Sequence, residues 1–308
     1  MILFVSGRTD ILSYYPEWFI NRVEEGYIDT RNPFNDKLVS RIDFKMVDII
    51  VFCSKNPKPF LAYLPRLEKA LPNVEFIFQI TITPYKEDIE PVIAKVKKDV
   101  IESVKYLSKR YGKDNILIRF DPIFKSKKYP LSYHLKAFSH LLDVLDGYIN
   151  KVNISFIDLY KNVLKNNEKF LHIEPLEERD YEFIGREFSK VAKSHNVSLF
   201  TCGEKNDLVK YGFNKDSCLS ISQAKEILEK HDKGYVKVKK QTNRNNSYCD
   251  CVQMVDIGAY NSCLSFCRYC YANYDEKKVK ENYTHHNKNS SLLIGDIKEE
   301  DEIKFRSE

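Results

Sequence analysis

Short apolar runs alternate with amphipathic stretches along most of the chain. Residues 1–5 are apolar and end at Ser6-Gly7, the pattern of a buried strand running into a loop. Residues 48–52, 74–82, 116–119, 151–156 and 197–201 repeat it with β-branched, aliphatic and aromatic side chains. Helical patterns separate them. One covers 16–22, opened by Pro16 and closed by Gly26, and another covers 60–70. A long one covers 90–111, where Val92, Val96, Val100, Val104 and Leu107 recur at helical spacing before Gly112. Further helices are expected at 131–145, 175–195 and 222–231, and the polar stretch 159–174 reads as a mobile loop beside the site. A seventh strand pattern occupies 252–257. Six strand–helix units and a final strand predict an α/β protein with a TIM-like parallel (β/α) barrel, complete or partial. In this division residues 1–201 supply barrel units, 202–275 form a cysteine-rich, metal-binding region that completes the barrel, and 276–308 form a C-terminal tail. The tail carries a solvated His285-His286 pair, and Ser291 to Gly295 packs back on the barrel.

Parallel barrels keep their chemistry at the carboxyl ends of the strands, so the polar residues there are the candidates. Arg8 follows the first strand and Lys55 the second. The fourth presents Arg119 and Asp121 at its exit, the fifth presents Asn153, Ser155 and Asp158, and Glu204 follows the sixth. Lys55 and Arg119 suit a carboxylate or a phosphate, and the carboxylates suit an ammonium group. Arg119, Asp121, Glu204 and Lys55 are the candidate catalytic residues; Asn153, Ser155 and Arg8 are candidates for ligand binding. The competing reading makes each a structural ion pair, with Arg8 and Asp10 fixing their own loop.

A chain of 308 residues can bury a large core, and 43% hydrophobic content fits a globular protein. No apolar run approaches the roughly 18 residues of a membrane span, and the amino terminus lacks the basic and cleavable parts of a signal peptide. The expected location is the cytoplasm, with no membrane partner. A net charge of +5 on this length does not demand an anionic partner. Lys237 to Arg244 is locally basic, and Tyr235 or Tyr248 could stack on a base. Nucleic acid is therefore an alternative partner, less favoured than a solvated connector because the charge is diffuse.

The cytoplasmic placement decides how the eight cysteines are read, since thiols there stay reduced unless a metal holds them. Cys249, Cys251, Cys263, Cys267 and Cys270 are crowded near the end, and the last three are spaced C-x3-C-x2-C. Three thiolates on one tight loop can meet three corners of a cubane cluster and leave the fourth iron open. A structural zinc loop is the competing reading, but zinc normally takes four protein ligands and paired C-x2-C units. Cys202, Cys218, Cys249 and Cys251 make four more, enough for a second iron–sulfur cluster or a zinc site. Ordinary buried thiols at Cys202 and Cys218 are the alternative, and lone Cys53 is read as a small hydrophobe.

Cys263, Cys267 and Cys270, with Tyr269 before the last, resemble the 4Fe-4S motif of the radical S-adenosylmethionine (radical SAM) enzymes. The resemblance implies that the open iron chelates S-adenosylmethionine, that Tyr269 lies beside its adenine, and that residues 252–257 are the strand feeding the loop. It also implies a one-electron donor such as flavodoxin or ferredoxin, and hydrogen abstraction from an unknown substrate. That superfamily usually carries the motif near the start of its barrel, so its late position here implies a circularly permuted barrel. A non-catalytic iron–sulfur or zinc protein that binds nucleic acid or relays electrons is the alternative, and a barrel enzyme using its metal as a Lewis acid is a third. More closely, the chain resembles an uncharacterised family, domain of unknown function 1848 (DUF1848). The matching segments are Ser6-Gly7-Arg8-Thr9-Asp10-Ile11, Ser54-Lys55-Asn56-Pro57, Arg119-Phe120-Asp121-Pro122-Ile123, Cys202-Gly203-Glu204, Asp256-Ile257-Gly258 and Cys270-Tyr271-Ala272-Asn273.

Overall fold

The computed structural model describes residues 1–214, 219–230, 232–234, 236–241 and 251–306. In chain order the elements are β1 (Ile2–Val5), α1 (Ile11–Tyr14), α2 (Pro16–Glu25), β2 (Tyr27–Asn32), β3 (Asn35–Asp43), β4 (Ile49–Ser54), α3 (Leu64–Ala70), β5 (Glu75–Thr81), α4 (Lys97–Tyr111) and β6 (Ile116–Ile123). They continue with α5 (Leu131–Val144), β7 (Lys151–Phe156), α6 (Lys161–Asn166), α7 (Glu178–Ser194), β8 (Ser198–Thr201), α8 (Ile221–Lys230), β9 (Val255–Asp256), α9 (Glu276–Thr284) and β10 (Glu302–Phe305). Seven of the strands make one sheet in the order β8-β7-β6-β5-β4-β1-β9. The registered pairs in it are parallel, as the strand–helix alternation predicts. β4 and β5 are almost continuously apolar, the pattern of strands buried on both faces by flanking helices. A seven-stranded parallel sheet of this order is compatible with a Rossmann-like or a TIM-like arrangement.

The late strand lies beside the first: Leu3 pairs with Val255 and Phe4 with Asp256. It is shorter than the predicted 252–257. Cys251 and Val252 instead form isolated bridges to Ser220 and Lys240.

Three other segments differ from expectation. Residues 27–43 form a hairpin whose β3 takes β10 as a parallel neighbour, giving a separate sheet ordered β10-β3-β2. Residues 276–308 therefore carry a helix and a strand. His286 is half-buried there, with its Nδ1 2.7 Å from the Leu293 carbonyl and its ring edge-on to Tyr15 at 4.6 Å. The stretch expected to be a mobile loop holds α6 and the π-helical turn Asn167–Leu171. Finally, α4 begins at Lys97 rather than 90: a separate 3-10 turn occupies Ile93–Lys95, and Val96 at φ −116° and ψ 12° breaks the helical backbone between them.

The chain divides into two compact units: Met1–Ile77 with Met254–Phe266 and Cys270–Glu308, and Phe78–Gln253 with Cys267–Tyr269. The first has a core of Trp18, Phe19, Phe52 and Phe60. Phe19 meets Phe52 edge-on at 5.8 Å, and Trp18 donates its indole N–H to the Ser290 carbonyl at 2.9 Å. In the second, Phe138 of α5 stacks on Phe188 of α7 at 4.5 Å and meets Phe120 of β6 at 5.5 Å, all three buried. Truncating Phe138 to Ala leaves a cavity in that cluster. The expected loss is about 3–5 kcal/mol of unfolding free energy, measured as a lower denaturant midpoint at an unchanged slope.

Candidate functional site

In the first unit the carboxyl ends of β1 and β9 are tied together by Asp256. Its carboxylate accepts from Ser6 Oγ at 2.7 Å, Gly7 N at 3.0 Å and Gly258 N at 2.7 Å. Arg8 donates to the Asp256 carbonyl at 2.6 Å and brings Nε within 3.3 Å of its carboxylate. The approach requires glycine at 258, where a Cβ would stand 2.0 Å from Ser6 Oγ. Arg8 therefore does pair with an aspartate, but with Asp256 rather than Asp10.

Asp10 is buried and caps α1. It accepts from Ser54 Oγ at 2.7 Å, from the Lys55 backbone N–H at 2.8 Å and from Ser13 N at 3.2 Å. Burial raises its pKa above the usual carboxylate range.

The loop after β9 carries the three motif cysteines as thiols. Asn261 and Phe266 both hold left-handed backbone, at φ 52° and 50°; for Phe this is uncommon and tends to mark functional loops. The loop is fastened at each end of Cys263. Tyr15 donates to the Ser262 carbonyl at 2.6 Å, and Asn273 Nδ2 donates to the Cys263 carbonyl at 2.5 Å. Burial pushes the Cys263 thiol up to about 12, with the Asp10 carboxylate adding to the rise. Burial also raises Cys270, where the Lys55 ammonium pulls the other way. The structure thus brings Lys55 to Cys270 and Asp10 to Cys263. Tyr271, beyond the motif, donates to the Gly7 carbonyl at 2.6 Å.

In the second unit Cys267 is buried, and Tyr269, also buried, donates its hydroxyl to Glu90. β6 runs on to Ile123, so Arg119 and Asp121 lie within the strand rather than beyond it; Arg119 grips Asp121 through Nε at 3.0 Å and Nη2 at 2.5 Å, and Ser155 Oγ of β7 reaches Asp121 at 3.3 Å. Glu204 accepts from the Phe156 backbone N–H at 2.8 Å. Burial, reinforced by the charges of Asp158 and Asp121, raises Glu204 to about 7. Asn153 is buried on β7 in register with Arg119. Arg119, Asp121 and Ser155 are thus joined by hydrogen bonds, and the charges of Asp158 and Asp121 reach Glu204.

Of the second cysteine set, Cys251 is buried and Cys202 half-buried at the end of β8; Cys218 and Cys249 lie outside the described residues. Tyr235, Arg244 and Tyr248 of the basic stretch lie outside them too. Among the described residues no three His, Cys, Asp or Glu side chains converge on one ion position. No helix among them is long and apolar enough to cross a membrane.

The family model Domain of unknown function (DUF1848) matches residues 2–272, nearly the whole chain. The chain belongs to the DUF1848 family. No curated protein matches it. All the strand-end residues above, and all three motif cysteines, fall within the DUF1848 match. Sequence reasoning missed Glu90 and gave Asp256 no role, because each acts on residues far away in the chain.

Glu204 carries a pH test. Folded, it keeps its proton up to about pH 7, whereas unfolded it ionises near its ordinary 4.5. The folded state therefore binds more protons in that window, and stability falls as pH rises from about 4.5 to 7. Replacing Glu204 with Gln keeps an acceptor for Phe156 and removes the ionisation. Denaturation curves from pH 4 to 8 are expected to give a flatter stability profile for E204Q, with a relative gain at pH 8 on the order of 3 kcal/mol.

Proposed function

We propose that the chain is an iron–sulfur enzyme of radical SAM type, with Cys263, Cys267 and Cys270 holding a 4Fe-4S cluster whose open iron binds S-adenosylmethionine. The observation that carries the reading is where the motif leaves the sheet: the C-x3-C-x2-C loop follows β9, a strand paired parallel with β1 and tied to its carboxyl end by Asp256. That position supports a circularly permuted radical SAM barrel, in which the late strand takes the place of the usual first one. The donor set fits a cubane. Three thiols occupy one short loop, and a cubane holds its thiolates on separate irons, so they need not converge on one point as around a single ion. Desolvation keeps the Cys263 and Cys270 thiols protonated until a metal claims them, so loading releases protons.

When bound, the cluster and S-adenosylmethionine together supply a one-electron cleavage that yields a carbon radical able to take hydrogen from a substrate. The chain's own residues do the rest. Lys55 sets a positive charge beside Cys270, which offsets the negative charge a thiolate would bring. Asp121 holds the Arg119 guanidinium in a fixed orientation from which it can meet a substrate anion. Glu204 keeps a proton on its carboxyl near neutral pH and can pass it to a substrate or receive one. Arg8, held by Asp256, fixes the shape of the loop after β1. A second centre on Cys202, Cys218, Cys249 and Cys251, as a cluster or zinc, belongs to the same proposal.

The test is iron, sulfide and zinc per chain on anaerobically reconstituted protein, with the spectrum of the reduced cluster taken before and after adding S-adenosylmethionine. About four irons or more per chain, a spectrum that shifts on addition, and loss of that signal in C267A are expected. Zinc without sulfide, or a cluster indifferent to S-adenosylmethionine, would sink the reading and leave metal binding or Lewis-acid chemistry.

A further inference from the structure

The segment from Cys267 to Tyr269 is clamped inside the second unit by partners the motif itself does not announce. The Arg268 backbone N–H donates to the Ile89 carbonyl at 2.9 Å, and Asn166 Nδ2 donates to the Arg268 carbonyl at 2.7 Å. The Arg268 guanidinium lies over the Phe170 ring at 4.3 Å. α6 and the π-turn after it thus grip the motif from one side and the 89–90 loop grips it from another.

Glu90 is the charged member of this clamp and is fully buried. Its Oε1 takes the Tyr269 hydroxyl and the Thr83 hydroxyl, the latter at 2.7 Å. Lys97 stands 3.5 Å from its Oε2 and donates to the Thr83 carbonyl at 2.7 Å and to the Tyr85 carbonyl. Tyr85 in turn packs 5.7 Å from the Tyr269 ring and accepts the Phe124 N–H at 3.1 Å. A buried carboxylate costs several kcal/mol unless it is paired and hydrogen-bonded, and a Gln or Ser could hold a tyrosine hydroxyl without that cost. An ion pair here places two opposite charges beside the residue that separates Arg268 from the last motif cysteine.

We propose that Glu90 and Lys97 are positioning residues for the cluster loop: Glu90 fixes Tyr269 through its hydroxyl, and the balance of the two charges tunes how readily the cluster takes an electron. The inference rests on the cluster reading above. In a dry surrounding a unit charge acts over several ångströms, and cluster potentials respond to nearby charge and hydrogen bonding. Removing the negative charge makes reduction easier, and removing the positive charge makes it harder.

The experiment reconstitutes the full chain and its E90Q, K97M and Y269F variants anaerobically, then measures iron and sulfide per chain and titrates cluster reduction by electron paramagnetic resonance. E90Q is expected to load iron as the parent does and to raise the equilibrium constant for one-electron reduction on the order of tenfold, about 59 mV. K97M is expected to shift it the opposite way. Y269F keeps both charges and is expected to change the resonance line shape with a smaller shift in potential. If E90Q fails to fold, K97M and Y269F still carry the comparison. Loaded variants whose potentials and line shapes match the parent would overturn the inference and leave the cluster standing. A parent that takes up no iron and sulfide would remove both.

Discussion

The four donors gathered by Asp256 are the constraint on which the first unit is built. β9 contributes only two residues to the sheet, and so short a ladder holds little on its own. The carboxylate adds charge-assisted hydrogen bonds from Ser6, Gly7 and Gly258, together with the Arg8 ion pair, and these are the strong kind. They also dictate the local sequence. Ser6 has to reach with a hydroxyl, and position 258 cannot carry a side chain because Ser6 already fills the space. With the two strand ends locked, the chain leaving Gly258 starts from a fixed direction, and the hydroxyl of Tyr271 closes back onto the Gly7 carbonyl.

The parallel sheet was legible because burial on both faces forces apolar runs: β1 is unbroken and β4 and β5 are nearly so, while β6, β7 and β8 keep shorter runs broken by polar residues. The β2–β3 hairpin was not, because its strands are half exposed and mix Asp, Arg, Asn and Lys with few apolar residues. β10 hid for the same reason. α6 escaped notice because it is short and rich in Lys and Asn, so its place in the fold comes from what it touches, not from periodicity. A general rule about parallel sheets pointed to the second unit's candidates, but β6 runs on past Arg119 and Asp121, and Glu204 follows β8, with β7 between the two strands. The candidates' partners were less legible. Arg8 was read as answering a nearby aspartate, yet its partner lies 248 residues away. Such pairings are products of the tertiary fold, and nothing in local composition marks Asp256 or Glu90 as different from a surface carboxylate.

Each unit sets a half-buried lysine against a buried carboxylate near the motif. In the first, burial raises both the Cys263 and the Cys270 thiols, the Asp10 carboxylate adds to the rise at Cys263, and Lys55 works against it at Cys270. In the second, Lys97 pairs with Glu90, which holds Tyr269. An apolar lining of the same shape would be cheaper, since burying ion pairs seldom adds net stability. In each unit a carboxylate therefore stands close to the motif where apolar packing of the same shape would cost less.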